Sequence, residues 1–241
     1  MPEIKSKKTE FTDGVKASMP VFIAYFAVSF GLGAAAVSYG ISPLSAAIMS
    51  LTNMTSAGEF AALDVIRSGS SLSVMLLCQL VINSRYALMS VSLSQRMTEG
   101  FPTWRRLIVG FFNTDEIFAL SMTRQGRLTP QFMYGLAVLP IAGWTMGTLL
   151  GALMSSALPV NVQVALGVAL YGMFTAIVTP QVTEDRKKLL VAFAAIVLSC
   201  LGRYLPVFKN VSSGLTVALC TVIAAGIGAV LFPMDEKEGL E

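Results

Sequence analysis

The stretch Phe111-Phe112-Asn113-Thr114-Asp115-Glu116-Ile117-Phe118 sets two adjacent acids between pairs of large apolar residues. Its reading decides the fold, because a crossing here and a turn-back here put the chain that follows on opposite sides of a membrane. Two further polar breaks interrupt apolar runs. Ser50, Thr52, Asn53, Thr55 and Ser56 lead into Gly58-Glu59, and Asn83-Ser84-Arg85-Tyr86 stands inside another such run. A charge at the centre of a bilayer costs about 3 kcal/mol or more, and persists where it lines a pathway or meets a partner.

The surroundings of these breaks identify the class. Hydrophobic residues make up 54% of the 241-residue chain, charged residues 13%, and the mean hydropathy is +0.70. A soluble domain carries about 25% charge. An all-α polytopic membrane protein is predicted, with the lipid bilayer as its first partner. A span needs about 20 apolar residues, and apolar runs suggest eight: 17–38, 43–66, 71–94, 106–123, 131–155, 160–180, 187–205 and 212–232. Residues 17–232 then form one transmembrane domain between a polar tail at 1–16 and a second tail at 233–241. No cleavable leader is expected ahead of the first span.

Orientation follows from Lys and Arg. With eight crossings and both termini cytoplasmic, the inner side holds Lys5, Lys7, Lys8, Lys16, Arg67, Arg124, Arg127, Arg186, Lys187, Lys188 and Lys237, eleven in all. The outer side holds four: Arg96, Arg105, Arg106 and Lys209. That bias argues for eight crossings over a re-entrant fourth segment, and the plasma membrane is the expected location. The net charge of +3 is sorted by membrane side and marks no nucleic-acid surface. A repeat of about four plus four spans is expected. Gly31-Leu32-Gly33 precedes Pro43 as Met146-Gly147-Thr148 precedes Pro159, Gly58-Glu59-Phe60 aligns with Gly172-Met173-Phe174, and Arg85-Tyr86 answers Arg203-Tyr204. Repeated halves are common in secondary transporters.

The polar breaks supply the candidate site. A discontinuous second span would offer Asn53, Gly58 and Glu59 to a ligand near the midplane, since broken backbone survives there only where protein or water satisfies it. A continuous helix packed through small residues is the competing reading. Arg85 keeps its charge and presents a planar fork to carboxylates; it pairs with Glu59 or Asp115, or clamps an anionic group of the substrate, with Asn83 beside it. Asp115 and Glu116 diverge by about 100° on a helix, so one lines the path while the other caps a broken helix or meets a partner. Carboxylates of this kind serve proton relays. Tyr86 and Arg203 are weaker candidates, Arg203 being close enough to a span end to snorkel. The remaining Met, Phe and Tyr side chains read as packing or lipid-facing groups.

Enzyme signatures are missing. The chain has no histidine, no nucleotide-binding loop and no nucleophile elbow. Cys78, Cys200 and Cys220 lack metal-ligand spacing and read as small buried hydrophobes. Neither a metal nor a cofactor is expected, and no residue is assigned a catalytic role.

Three segments resemble the AzlC family, the large subunit of branched-chain amino-acid exporters. Ala57-Gly58-Glu59-Phe60-Ala61-Ala62-Leu63 is similar to the family's small-residue stretch and Gln-Phe-Ala-Ala-Leu. Ile82-Asn83-Ser84-Arg85-Tyr86, followed by Leu88 and Ser92-Leu93, resembles its Ile-Asn-x-Arg-His segment. Asn113-Thr114-Asp115-Glu116-Ile117-Phe118-Ala119-Leu120 looks like its Thr-Asp-Glu-x-Phe-Ala run. The likeness in layout extends from about 14 to 232. Glu59 stands where the family usually has Gln, and Tyr86 where His is common, which bears on substrate preference and proton coupling. The resemblance implies export of branched-chain or similar apolar amino acids and a small hydrophobic partner subunit of the AzlD type. The residues alone are equally compatible with a small-solute channel or with a membrane scaffold whose charges hold a partner.

Overall fold

The computed structural model describes residues 6–98, 101–157, 185–204 and 213–232, with positions 159, 161, 162, 175, 179, 182 and 183. The described helices are α1 (Lys7–Ser38), α2 (Pro43–Thr52), α3 (Ser56–Arg67), α4 (Leu72–Arg96), α5 (Thr103–Phe111), α6 (Asp115–Thr123), α7 (Pro130–Met154), α8 (Arg186–Tyr204) and α9 (Ser213–Leu231). No strand occurs among the described residues, and Met97 and Leu128 form an isolated bridge. Helices α1, α4 and α7 are long and apolar enough to cross a membrane. The sixth predicted span, 160–180, and the tail at 233–241 lie outside the described residues but for isolated positions.

The chain divides into two compact units, Met1–Phe60 with Asn83–Leu170, and Ala61–Ile82 with Tyr171–Glu241. In the second, α8 and α9 run antiparallel, Gly202 against Thr216 and Gly228 against Val191. The first unit is built on α1 and α7. These two helices run in the same direction: Gly135 lies against the Phe11 carbonyl, Gly143 against that of Phe22, and Gly151 against that of Phe30. The approach is backbone to backbone. A Cβ on Gly151 would sit 2.0 Å from the Phe30 oxygen, and one on Gly33 2.0 Å from that of Thr148. Small residues permit such contact in lipid, where packing rather than water drives association.

Helix starts follow local capping. Ser42 and Thr129 accept from Ser45 N and Phe132 N, each followed by a proline at the first helical position, where no N–H is needed. Ser6 caps α1 by accepting from Thr9 N, so residues expected as a polar tail join the first helix from Lys7 onward. Its first turns are anchored by Glu10, which pairs with Arg124 at 2.6 Å and accepts from Thr129 Oγ1 at 2.8 Å. Arg124 in turn lies over the Phe132 ring.

The fourth predicted span does not cross. Its two ends are tied together: Thr98 N donates to Leu128 O at 3.0 Å, and Leu128 N to Arg96 O at 2.8 Å. The Arg96 guanidinium clamps the exit by donating to the carbonyls of Met122, Arg124 and Gly126. At the entrance, Arg106 donates to Phe101 O and to Ser94 Oγ. Helices of nine residues each reach only about 14 Å, so α5 enters and α6 returns on one side. The hairpin is nonetheless deep. Its exit meets α1 at Glu10 and its tip meets α1 at Tyr25, positions about 22 Å apart along that helix.

The second predicted span also turns back. Ser50 on α2 and Glu59 on α3 are only nine residues apart, yet Ser50 Oγ donates to Glu59 Oε2 at 3.1 Å. A helix carried straight through the break would hold them too far apart. Two of the eight expected crossings are therefore hairpins, and eight crossings are not confirmed among the described residues. The directions of α1 and α7 are unaffected, because two reversals cancel. Arg96, Arg105 and Arg106, expected outside, join Lys7, Lys8, Arg124 and Arg127 at the N-terminal end, so the positive bias grows in this unit.

In protein with its three native cysteines replaced by Ser, cysteines introduced at Thr103 and Arg127 are expected to react with an impermeant thiol reagent from the same face. Labelling from opposite faces would restore a crossing.

Candidate functional site

Both hairpin tips lie beside the middle of the α1–α7 pair. In the first, α2 ends at Asn53, whose backbone (φ −133°, ψ 81°) leaves the helix. Thr55 then starts α3, its Oγ1 accepting from Gly58 N and donating to Asn83 Oδ1 at 2.9 Å. This ties the tip to α4. In the second, Thr114 caps α6 by accepting from Ile117 N, and Asp115 and Glu116 occupy the first turn, where the helix dipole favours acids. Asn113 Nδ2 donates to Ser90 Oγ, while its buried Oδ1 has no partner.

Three acids reach this level, each in different surroundings. Asp115 pairs with Arg85 at 2.9 Å, with side chains 29% and 40% exposed. The Arg85 fork also donates to the Tyr86 hydroxyl at 3.3 Å and leaves its buried Nε unpartnered. Glu116 accepts from the Tyr25 hydroxyl, which lies 2.7 Å from Thr114 Oγ1. A phenol has one proton, so Tyr25 shares it between two acceptors, Thr114 Oγ1 and the Glu116 carboxylate. Glu59 is fully buried. Its Oε2 accepts from Ser50 Oγ and, at 2.9 Å, from Trp144 Nε1, and its Oε1 has no partner. Thr148 Oγ1 completes the cluster 2.7 Å from Ser50 Oγ.

Trp144 joins the two tips. Its indole N–H serves Glu59, and its ring meets Tyr25 edge-on at a centroid distance of 5.3 Å. Between the tips lies a cavity of about 10 Å³ lined by Tyr25, Met54, Ser56, Tyr86, Asp115 and Trp144, with Thr114 and Glu116. That is space for a water molecule, not for an amino acid. A larger groove of about 610 Å³ runs between α4 and α5, lined mainly by apolar residues such as Leu93, Met97, Leu107 and Val109. It holds none of the acids, so the chemistry belongs to the smaller cavity.

Of the residues singled out by sequence, Asp115, Glu116 and Tyr86 line the cavity, while Arg85, Glu59, Gly58 and Asn83 hold or adjoin the tips. Asn53 contributes the backbone break. Arg85 takes Asp115, not Glu59, as its partner. Arg203 lies on α8 with its side chain outside the described residues. Tyr25 was expected to be a packing or lipid-facing side chain, and that expectation is corrected; Trp144 was not singled out. Their only signal is a polar tip at mid-span, which a buried Tyr or Trp satisfies with a partner.

Comparison with known proteins finds one matching family model and several membrane-protein relatives. A family model described as AzlC protein matches residues 20–158, a range that holds both hairpins and all three acids. The inner membrane protein YgaZ of Escherichia coli K12 is 28% identical over 208 residues, covering 83% of this chain and 84% of its own. An uncharacterized membrane protein of Archaeoglobus fulgidus is 30% identical over 196 residues, covering 80% and 86%. One from Helicobacter pylori J99 is 26% identical, covering 61% and 64%. No solved structure matches.

Tyr25→Phe strips both Glu116 and Thr114 of their phenolic donor. It is expected to lower stability by about 1–3 kcal/mol, read as a fall in the Tm of the purified protein. An unchanged Tm would mean that the tip is held by other contacts.

Proposed function

We propose, from the premise that this chain belongs to the AzlC family, that it is the large subunit of a secondary transporter exporting branched-chain or similar apolar amino acids, driven by a proton gradient. The observation that carries this reading is the meeting of two reversed helices, each bearing acids, on one cavity within the first unit. A zwitterion suits the Arg85–Asp115 pair, since its carboxylate replaces Asp115 on the guanidinium while its ammonium replaces Arg85 on the carboxylate. Met54, Tyr86 and Trp144 offer apolar surface to the side chain. A mostly apolar pocket with few polar groups is what such a substrate needs.

The narrowness of the cavity favours a gated transporter over an open channel, because substrate enters only when the tips part. Broken helices at the midplane are a recurrent device of secondary transporters. The shared direction of α1 and α7, which begin the two predicted repeats, supports a parallel arrangement of the halves. The positive charge gathered at the N-terminal end supports a cytoplasmic N-terminus in the plasma membrane. The small AzlD-type hydrophobic subunit belongs to this proposal through the family.

Proteoliposomes loaded with labelled leucine, isoleucine, valine or methionine test the reading, with and without the partner and across an imposed pH gradient. Gradient-driven movement is expected, abolished by Arg85→Ala and less affected by Arg203→Ala. Folded complex that moves no substrate, or moves it regardless of the gradient, would contradict it.

A further inference from the structure

The three acids at the tips do unequal work. Asp115 and Glu116 line the cavity and are engaged by Arg85 and Tyr25. Glu59 is shut away from the cavity with one oxygen unpartnered. The groups that face it are Ser50 on α2 and Trp144 and Thr148 on α7, all uncharged, with Tyr25 of α1 behind the indole. No cationic side chain pairs with it among the described residues. A carboxylate so enclosed lacks a counter-charge, and an unpaired buried charge is strongly unfavourable. With no exposed surface, its Oε1 is open to a proton and to nothing larger while the tips are closed.

Building on the transport reading above, we propose that Glu59 is the coupling-proton site of the cycle, distinct from the cavity that takes the substrate. One proton from water bonds to Oε1 when the site opens to one face, and the same O–H breaks to water when it opens to the other. Asp115 and Glu116 are left to the substrate. Trp144 carries the state of Glu59 to the second tip. An ionised carboxylate is the stronger acceptor for the indole N–H and the Ser50 hydroxyl, and the neutral acid the weaker. The ring so held or loosened rests on Tyr25, whose hydroxyl binds Thr114 and Glu116. Proton occupancy therefore biases whether the two tips are held together.

The chain has two tryptophans, so Trp104→Phe leaves Trp144 as the sole indole reporter. In that protein, purified in detergent without substrate, Trp144 emission is expected to change with pH along a single-proton curve. The change should vanish when Glu59→Gln is added, and persist with Asp115→Asn or Glu116→Gln. Sodium at constant pH should leave the emission unaltered. A flat emission, a pH response that survives Glu59→Gln, or a sodium response in place of the proton response would overturn the assignment. Infrared difference spectra of protein retaining Glu59 give a second reading that does not depend on the variant folding. The carbonyl band of a protonated carboxylic acid should grow in step with the emission, and its absence would also overturn the assignment. Since neither reading uses transport, a failure of amino-acid movement would count against the transport proposal alone.

Discussion

Helices α1 and α7 touch backbone to backbone, and every other element described in the first unit depends on that seam. The contact is so close that a single β-carbon at Gly33 or Gly151 would fall 2.0 Å from a carbonyl oxygen, far inside van der Waals contact. Only glycine allows it. The seam fixes Tyr25 and Trp144 side by side at mid-depth, as rigid posts with polar tips. The ends of α1 and α7 define the two faces from which the hairpins enter, one after α1 and one before α7.

The hairpins solve a problem set by the bilayer. A helix broken at membrane depth exposes N–H and C=O groups that lipid cannot satisfy. Here side chains satisfy them. Thr55 and Thr114 cap the returning helices, and the Arg96 guanidinium takes three carbonyls where the second hairpin leaves. In exchange, each break frees the chain to present acids at the first turn of a helix, close to the seam. Asp115 finds a cation, Glu116 a phenol, and Glu59 only uncharged donors. That inequality is the chemical asymmetry on which the proposed separation of substrate binding from proton binding rests.

Much of this was legible in the sequence. Glu59, Arg85, Asp115 and Glu116 stand out as charges in apolar runs, and the structure sets all four at or beside the tips. The order Asn113-Thr114-Asp115-Glu116 is also a helix-start signature, so a break there was readable. The direction of the chain after the break was not. An apolar run such as 106–123 suits one crossing or two half-helices, and the choice rests on the hydrogen bonds of Leu128 with Thr98 and Arg96, about thirty positions away. Counting Lys and Arg misled for the same reason, because the loop charges at Arg96, Arg105 and Arg106 were placed by an assumed crossing. Tyr25 and Trp144 escaped notice because their partners are remote, Thr114 being 89 residues from Tyr25 and Glu59 being 85 from Trp144.

The central claim is that the tips of the two hairpins, so distant in sequence, bound one cavity. The most direct measurement is a thiol cross-link between Met54→Cys and Ser56→Cys in the first tip, each paired in turn with Thr114→Cys in the second, in protein without native cysteines. A short bifunctional reagent should bridge at least one pair within a single chain, seen as a mobility shift reversed by a cleavable linker. If neither pair is bridged in folded protein that reacts readily at each single cysteine, the tips do not meet, and the site described here does not exist as one cavity.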